Sequence, residues 1–366
     1  AKRVFGSAAA ISAMDKREAK LLFERCLPKF VEAGLQVMSD ISDVKVKEIA
    51  SLWAGMGSVY CITAAGAKIK PQSIVAKRVQ LPSRCDSIGD QRKKDSYDVE
   101  TAFYQKGHAQ RLISAGCMVP FPLHVEHRGE GVTICMTKLE GHSSHPQGYE
   151  AFVKWLARLH ATYWGRRADA ASSAEGGLQP QGCYWHLDTR PEEHRRMGSS
   201  GWMGRLKLAA RAIDLRLKAD PLQSVCHGDA KGANILYTKG EEGVVPLVYD
   251  FQYCGKAAVT KDLAYFFNVQ VYPNAAEEER LLQIYHQELA QHLKAHGDAA
   301  PKIEDLRTSL ELALCDWRRF TEVGLGGWGD SSATKRVMKV LERLDGGQAL
   351  KSEDAYVAAM QREFPT

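Results

Sequence analysis

Hydrophobic and polar positions along the 366-residue chain change their period near residue 140. Residues 15–32 carry Leu21, Leu22, Cys26, Phe30 and Val31 at helical spacing, which predicts an amphipathic helix ahead of the main domain. From residue 44 the apolar runs become short and β-rich, and 44–53, 59–64 and 74–79 read as three consecutive strands. The polar segment 82–95 reads as a loop, and 96–105 as a helix turning Val99, Phe103 and Tyr104 inward. Two further strands, 122–127 and 132–139, flank the turn Arg128-Gly129-Glu130-Gly131. Beyond Gly141 the period is mainly helical: Phe152, Trp155, Leu156, Leu159 and Tyr163 fall on one face. A helix opening at Pro273-Asn274 carries Leu281, Leu282, Tyr285, Leu289 and Leu293, with Glu277, Glu278 and Glu279 at its positive end. Residues 306–323 and 334–344 read as helices too, and 168–182, rich in Ala, Ser, Gly and Gln, as an exposed loop. The pattern divides the chain into an N-terminal helical extension (1–40), a five-stranded unit with one main helix (41–138) and a larger, mainly helical unit (139–366). That is an α+β architecture.

Composition narrows the class. Hydrophobic residues at 45% and charged residues at 25% are globular proportions, which exclude a disordered or fibrous chain. The net charge of +5 is spread thinly, and no Lys/Arg block interleaved with aromatics argues for nucleic acid; Arg92-Lys93-Lys94 reads as a solvated face. The nine cysteines are isolated, with no C-x-x-C pair, so neither a zinc site nor a full disulfide framework is expected. A reducing, cytoplasmic compartment fits them. No apolar run reaches the roughly 18 residues that a membrane span needs. Residues 1–13 are small, slightly basic and free of acids, which leaves two readings: a frayed terminus or the remnant of an organellar transit peptide. The oligomeric state is not encoded in any of these features.

The chemistry concentrates between Cys226 and Tyr265. The chain reads His227-Gly228-Asp229-Ala230-Lys231-Gly232-Ala233-Asn234 and, after a short polar hairpin, Leu247-Val248-Tyr249-Asp250-Phe251-Gln252. Phosphoryl transfer from a nucleoside triphosphate needs one carboxylate to orient an attacking hydroxyl, and an amide with a second carboxylate to hold magnesium. Asp229 suits the first role, and Asn234 and Asp250 the second. Lys231 can aim a fixed positive charge at the transferring group, whose oxygens gain charge in the transition state.

The His-Gly-Asp-x-x-x-x-Asn segment with the later Asp-Phe-Gln resembles the kinase-like phosphotransferases that act on small molecules, of the aminoglycoside phosphotransferase and choline kinase type. In texture it is most similar to the ecdysteroid-kinase-like family. The resemblance implies a bilobal protein-kinase-like fold, ATP and Mg2+ as cofactors, and a small-molecule alcohol as acceptor. It also implies upstream partners: Lys77 in Ser73-Ile74-Val75-Ala76-Lys77-Arg78 gripping phosphates, and Glu100 pairing with Lys77. The turn Trp53-Ala54-Gly55-Met56-Gly57-Ser58 would cover the phosphates through Gly55, Gly57 and Ser58, and Thr137 and Leu139 would offer backbone groups to adenine. His160 reads as a packed histidine, His227 as a buttress of the loop backbone and Asp262 as its brace. Segments 184–190, 316–320 and 326–330 are candidates for the acceptor pocket, with Arg190, Arg318 and Arg319 pointing to a neutral or acidic acceptor. Protein kinases carry Arg and Gly where this chain has Gly228 and Gln252, whereas Lys231 follows their pattern. Two alternatives therefore stay open: a protein Ser/Thr kinase, and a pseudokinase or scaffold that retains nucleotide binding.

Overall fold

The computed structural model describes residues 13–52, 55–66, 69–80, 87–324, 326 and 333–366. Trp53 and Ala54 of the glycine turn, Cys85, most of the terminal segment 1–13 and residues 327–330 of the acceptor candidates lie outside the described residues. The chain divides into two compact units, Ala1–Ser114 with Val119–Glu140, and Ala115–Met118 with Gly141–Thr366.

The first unit is built on one antiparallel sheet. Helix α1 (Lys16–Cys26) precedes β1 (Asp43–Ser51), β2 (Gly57–Ala65) and β3 (Gln72–Gln80). Helices α2 (Ile88–Gln105) and α3 (His108–Ser114) follow, then β4 (Pro122–Arg128) and β5 (Gly131–Thr137), in the order β1-β2-β3-β5-β4. On β3, Ile74 and Ala76 turn into a core that also takes Val44, Tyr60, Ile62 and Cys135. Leu22, Phe23, Cys26 and Phe30 of the terminal helical segment pack into this same core. Burying Leu22 and Phe23 is worth about 2 kcal/mol each, enough to hold so short a helix on the sheet. Leu21 and Val31, expected on the buried stripe, are exposed. Helix α2 also begins earlier than the polar sequence suggested, because the Ser87 hydroxyl accepts from Asp90 N–H and caps it at Ile88. Leu139 lies beyond the end of β5.

The second unit is mainly helical. Helices α4 (Gly148–Thr162), α5 (Arg166–Ala171), α6 (Pro191–Arg196) and α7 (Gly201–Lys218) lead into β6 (Gln223–Cys226). Strands β7 (Ile235–Gly240) and β8 (Gly243–Val248) form a hairpin, and β9 (Gly255–Ala258) pairs antiparallel with β6. Helix α8 (Thr260–Phe266) runs into a π-helical turn, Phe267–Val271, before α9 (Ala275–Ala295), α10 (Ile303–Gly324), α11 (Ala333–Asp345) and α12 (Glu353–Glu363). The stripe predicted on α9 is buried at Leu281, Leu282, Tyr285, Leu289 and Leu293, and Asn274 caps it by accepting from Glu277 N–H. Residues 168–182 are not the exposed loop expected: Ala168, Ala171 and Leu178 are buried, and Gln179 exchanges backbone hydrogen bonds with Cys254 and Lys256. Among the described residues no helix is long and apolar enough to cross a membrane.

Candidate active site

The loop from His227 to Asn234 leaves the end of β6 and is held by a buried network of hydrogen bonds. Asp262, fully buried on α8, accepts from His227 N–H at 2.7 Å and Gly228 N–H at 2.9 Å. His160 Nε2 lies 3.3 Å from the same carboxylate, and its Nδ1 lies 2.8 Å from the Tyr285 hydroxyl. Burial alone would raise the Asp262 carboxyl; His160 and the loop outweigh it and hold it below its usual value. Gly228 has φ +82°, and a Cβ there would sit 2.2 Å from Tyr253 O, so a side chain has neither the conformation nor the room.

His227 is a buttress. Its Nδ1 accepts from Asp229 N–H at 3.3 Å, which puts the ring proton on Nε2, where it donates to Tyr249 O at 3.1 Å. Both nitrogens are engaged with backbone, so neither is open to shuttle a substrate proton.

Asp229 is buried, and its carboxylate is held from several sides. Oδ1 accepts from the Tyr265 hydroxyl at 2.8 Å. Oδ2 accepts from Asn234 Nδ2 at 3.0 Å and faces Lys231 Nζ at 2.8 Å. Asn234 Nδ2 also donates to Asp229 O at 2.9 Å. With its NH2 group spent in this way, what Asn234 has left for a cation is its carbonyl oxygen, a hard donor suited to magnesium or calcium. Tyr249 N–H donates to Asn234 O at 3.1 Å just beyond the pairing of Ile235 with Val248. Asp250 therefore follows at the Asn234 end of the hairpin, held in the left-handed region at φ +69°. Two oxygen donors at one end of a rigid hairpin fit a hard divalent cation.

Tyr265 carries the chain one step further, since its oxygen lies 3.1 Å from the Tyr184 hydroxyl. Tyr265 spends its proton on Asp229, so Tyr184 is the donor of that pair. Burial, then the charge of Asp229, pushes both phenols above their usual value and keeps them neutral. Sequence reasoning placed Tyr184 in the acceptor pocket and missed Tyr265, which sits in an apolar run with no motif of its own.

In the first unit Lys77 Nζ meets Glu100 Oε2 at 2.5 Å, both side chains buried, with Nζ 5.6 Å from the centroid of the Tyr97 ring. Gly57 opens β2 with φ +142°, and a Cβ there would lie 2.0 Å from Arg78 O. Gly55 N–H donates to Leu52 O at 3.2 Å, and the Ser58 hydroxyl donates to Glu48 at 2.9 Å. Both groups are thus hydrogen-bonded to β1 and the turn that follows it. Thr137 ends β5, its hydroxyl accepting from Phe121 N–H at 2.9 Å, and Leu139 is half-buried after it.

The candidate acceptor residues divide. Arg190 donates to Tyr184 O at 2.9 Å and packs 5.1 Å from the Tyr184 ring and 4.8 Å from Phe320. Asp316 and Arg319 instead belong to an interior charge cluster. Asp316 meets Lys261 Nζ at 2.9 Å and Arg319 at 2.7 Å, and Lys261 Nζ stands 4.1 Å from the centre of the Trp185 ring. Burial alone would raise Asp316; Arg319 and then Lys261 outweigh it and hold its carboxyl at about 2. Beside them burial, helped by Lys261, pushes His186 down to about 3.

The sequence profile of the ecdysteroid kinase-like family matches residues 205–297. No curated protein matches this chain. Among solved structures it is similar to an ethanolamine kinase of Plasmodium vivax, at 14% identity over 93% of this chain and 95% of that one, with a TM-score of 0.44. It is similar also to a microcompartment-associated aminopropanol kinase, at 11% identity over 93% and 97% with a TM-score of 0.46. A third is the amicoumacin kinase solved with AMP-PNP and Ca2+, at 15% identity over 88% and 95% with a TM-score of 0.45. The segment that carries Asp229, Lys231, Asn234, Asp250 and the brace Asp262 therefore matches the ecdysteroid kinase-like family, the resemblance that its motif had led us to expect.

Proposed function

We propose that the protein is an ATP- and magnesium-dependent phosphotransferase that moves the γ-phosphoryl group onto a hydroxyl of a small organic molecule. The observation that carries this reading is the buried Asp229 carboxylate, fixed by Tyr265 and Asn234 with Lys231 in contact. Asp229 accepts the hydrogen bond of the incoming hydroxyl, orients its oxygen for attack and takes its proton as the bond to phosphorus forms. Lys231, two residues on and a third exposed, can move from Asp229 to the transferring phosphoryl oxygens as charge grows there. The Asn234 side-chain carbonyl oxygen and Asp250 would hold the metal, which when bound would neutralise phosphate charge. Lys77, set by Glu100, suits a grip on nucleotide phosphates. Arg190 and Tyr184 remain as acceptor-side groups; Asp316 and Arg319 do not, because each is spent on the interior cluster.

The test is ADP release from Mg-ATP across a panel of alcohol-bearing metabolites, with thermal shift by nucleotide in parallel. Asp229→Ala should lower transfer about 10^3-fold while the nucleotide shift persists, and Asp250→Ala should remove its metal-dependent part. Full turnover by Asp229→Ala would rule out the assignment of the base, and peptide phosphorylation without metabolite turnover would favour a protein kinase.

A further inference from the structure

The loop is held from α8 at Asp262 and Tyr265, and once more further along, by Gln270. Gln270 Oε1 accepts from Gly232 N–H at 3.1 Å, next to Lys231. The fit is tight from both sides. A Cβ on Gly232 would lie 2.3 Å from Gln270 Oε1, so the amide seats there only because residue 232 has no side chain. The Gln270 backbone carbonyl is anchored in turn by the Tyr149 hydroxyl at 3.1 Å.

What brings Gln270 to this place is a change of helical winding. In an α-helix the residues that share a face with Tyr265 are three and four positions on, here Asn268, whose NH2 donates back to Ala264 O at 2.7 Å, and Val269. Residues 267–271 are instead wound as a π turn, whose repeat runs from i to i+5. The wider turn carries the loop-facing position from 269 to 270, replacing an apolar side chain with one that can accept a hydrogen bond. The segment then stops at once, with Tyr272 in the left-handed region at φ +51°.

We propose that the π turn serves to seat Gln270 on the loop, and that Gln270 is a positioning residue for Lys231, acting through the Gly232 amide. This rests on the phosphotransferase reading for its consequence in turnover, though not for its geometry. Gln270 orders the backbone on which Lys231 stands and so sets where the ammonium can reach.

Two measurements on the full chain test it. The first needs no activity: amide hydrogen exchange at Gly232, its signal assigned by its loss in Gly232→Ala. Gln270→Leu should speed that exchange about tenfold, and Gln270→Glu, which keeps an acceptor oxygen, should restore most of the protection. Unchanged exchange in Gln270→Leu overturns the proposal whether or not the protein is a kinase. The second is turnover with the best alcohol found. Gln270→Leu should lower kcat about tenfold with KM for ATP little changed, and Gln270→Glu should recover most of it. Gly232→Ala should cost about as much, and the double variant Gly232→Ala/Gln270→Leu little more than either alone, since both break one contact. Additive losses, or equal losses in Gln270→Leu and Gln270→Glu, would reduce Gln270 to packing. Absence of turnover in the wild-type chain would sink the phosphotransferase reading and leave the exchange result to decide this one.

Discussion

Lys261 and Asp262 are neighbours on α8, both buried and both charged, yet they face opposite kinds of company. Asp262 is surrounded by polar donors: two backbone amides of the loop and a histidine ring. Lys261 faces a carboxylate, Asp316, which Arg319 also holds. A buried charge is tolerable when compensated, and the two solutions differ in what they fix. Backbone donors fix the path of a chain segment, here the turn that presents Asp229. Formal charges fix helix against helix, here α8 against α10. Asp262 thus serves the site and Lys261 the contact with α10, and substitutions at the two should separate turnover from stability.

The largest break should come at Lys261. Lys261→Met leaves Asp316 with only Arg319 and should lower unfolding free energy by about 3 kcal/mol in urea titration. Turnover per folded molecule should stay within a few-fold. Asp262→Asn replaces one acceptor oxygen with a donor facing an N–H group. It should cost about 2 kcal/mol in the same titration, and also lower turnover per folded molecule more than Lys261→Met does. Equal effects of the two on turnover would erase the distinction.

A third substitution sharpens the comparison through pH. His186, beside Lys261, titrates near 3 in the fold and near 6.5 when unfolded. As pH falls below 6.5 the unfolded chain binds a proton there that the folded chain refuses, so stability drops towards pH 3. The contribution is about 1.4 kcal/mol per pH unit once well below 6.5. Urea midpoints of His186→Gln should fall less steeply than wild type between pH 6 and 4, and parallel curves would contradict the shift.

How much of this was legible beforehand follows the physics of each segment. On the apolar, periodic faces from Phe152 to Tyr163 and from Leu281 to Leu293, sequence and structure agree. The start of α2 was lost because its first turns are solvated on most sides, and a polar helix looks like a polar loop. Residues 168–182 misled for the opposite reason. Their small side chains mark close packing rather than solvent: a Cβ on Gly176 would lie 2.1 Å from Ala171 O, and one on Gly182 would lie 2.4 Å from Gly255 O. In the site, the polar residues of the His-Gly-Asp segment stand out as a pattern because several kinds occur at fixed spacing. Tyr265 and Gln270 do not, because each reaches the loop through one side-chain hydrogen bond from a distant helical turn, which no short motif encodes.

The hydroxyl pair beside Asp229 has a direction. Tyr265 gives its hydrogen to the carboxylate and must receive one from Tyr184, so any third molecule meeting the Tyr184 oxygen finds lone pairs there. That polarity is tied to the state of an acid two links away. While Asp229 is ionised, Tyr184 can only accept from a newcomer; were Asp229 neutral and donating to Tyr265, the whole row could reverse and offer a hydrogen instead.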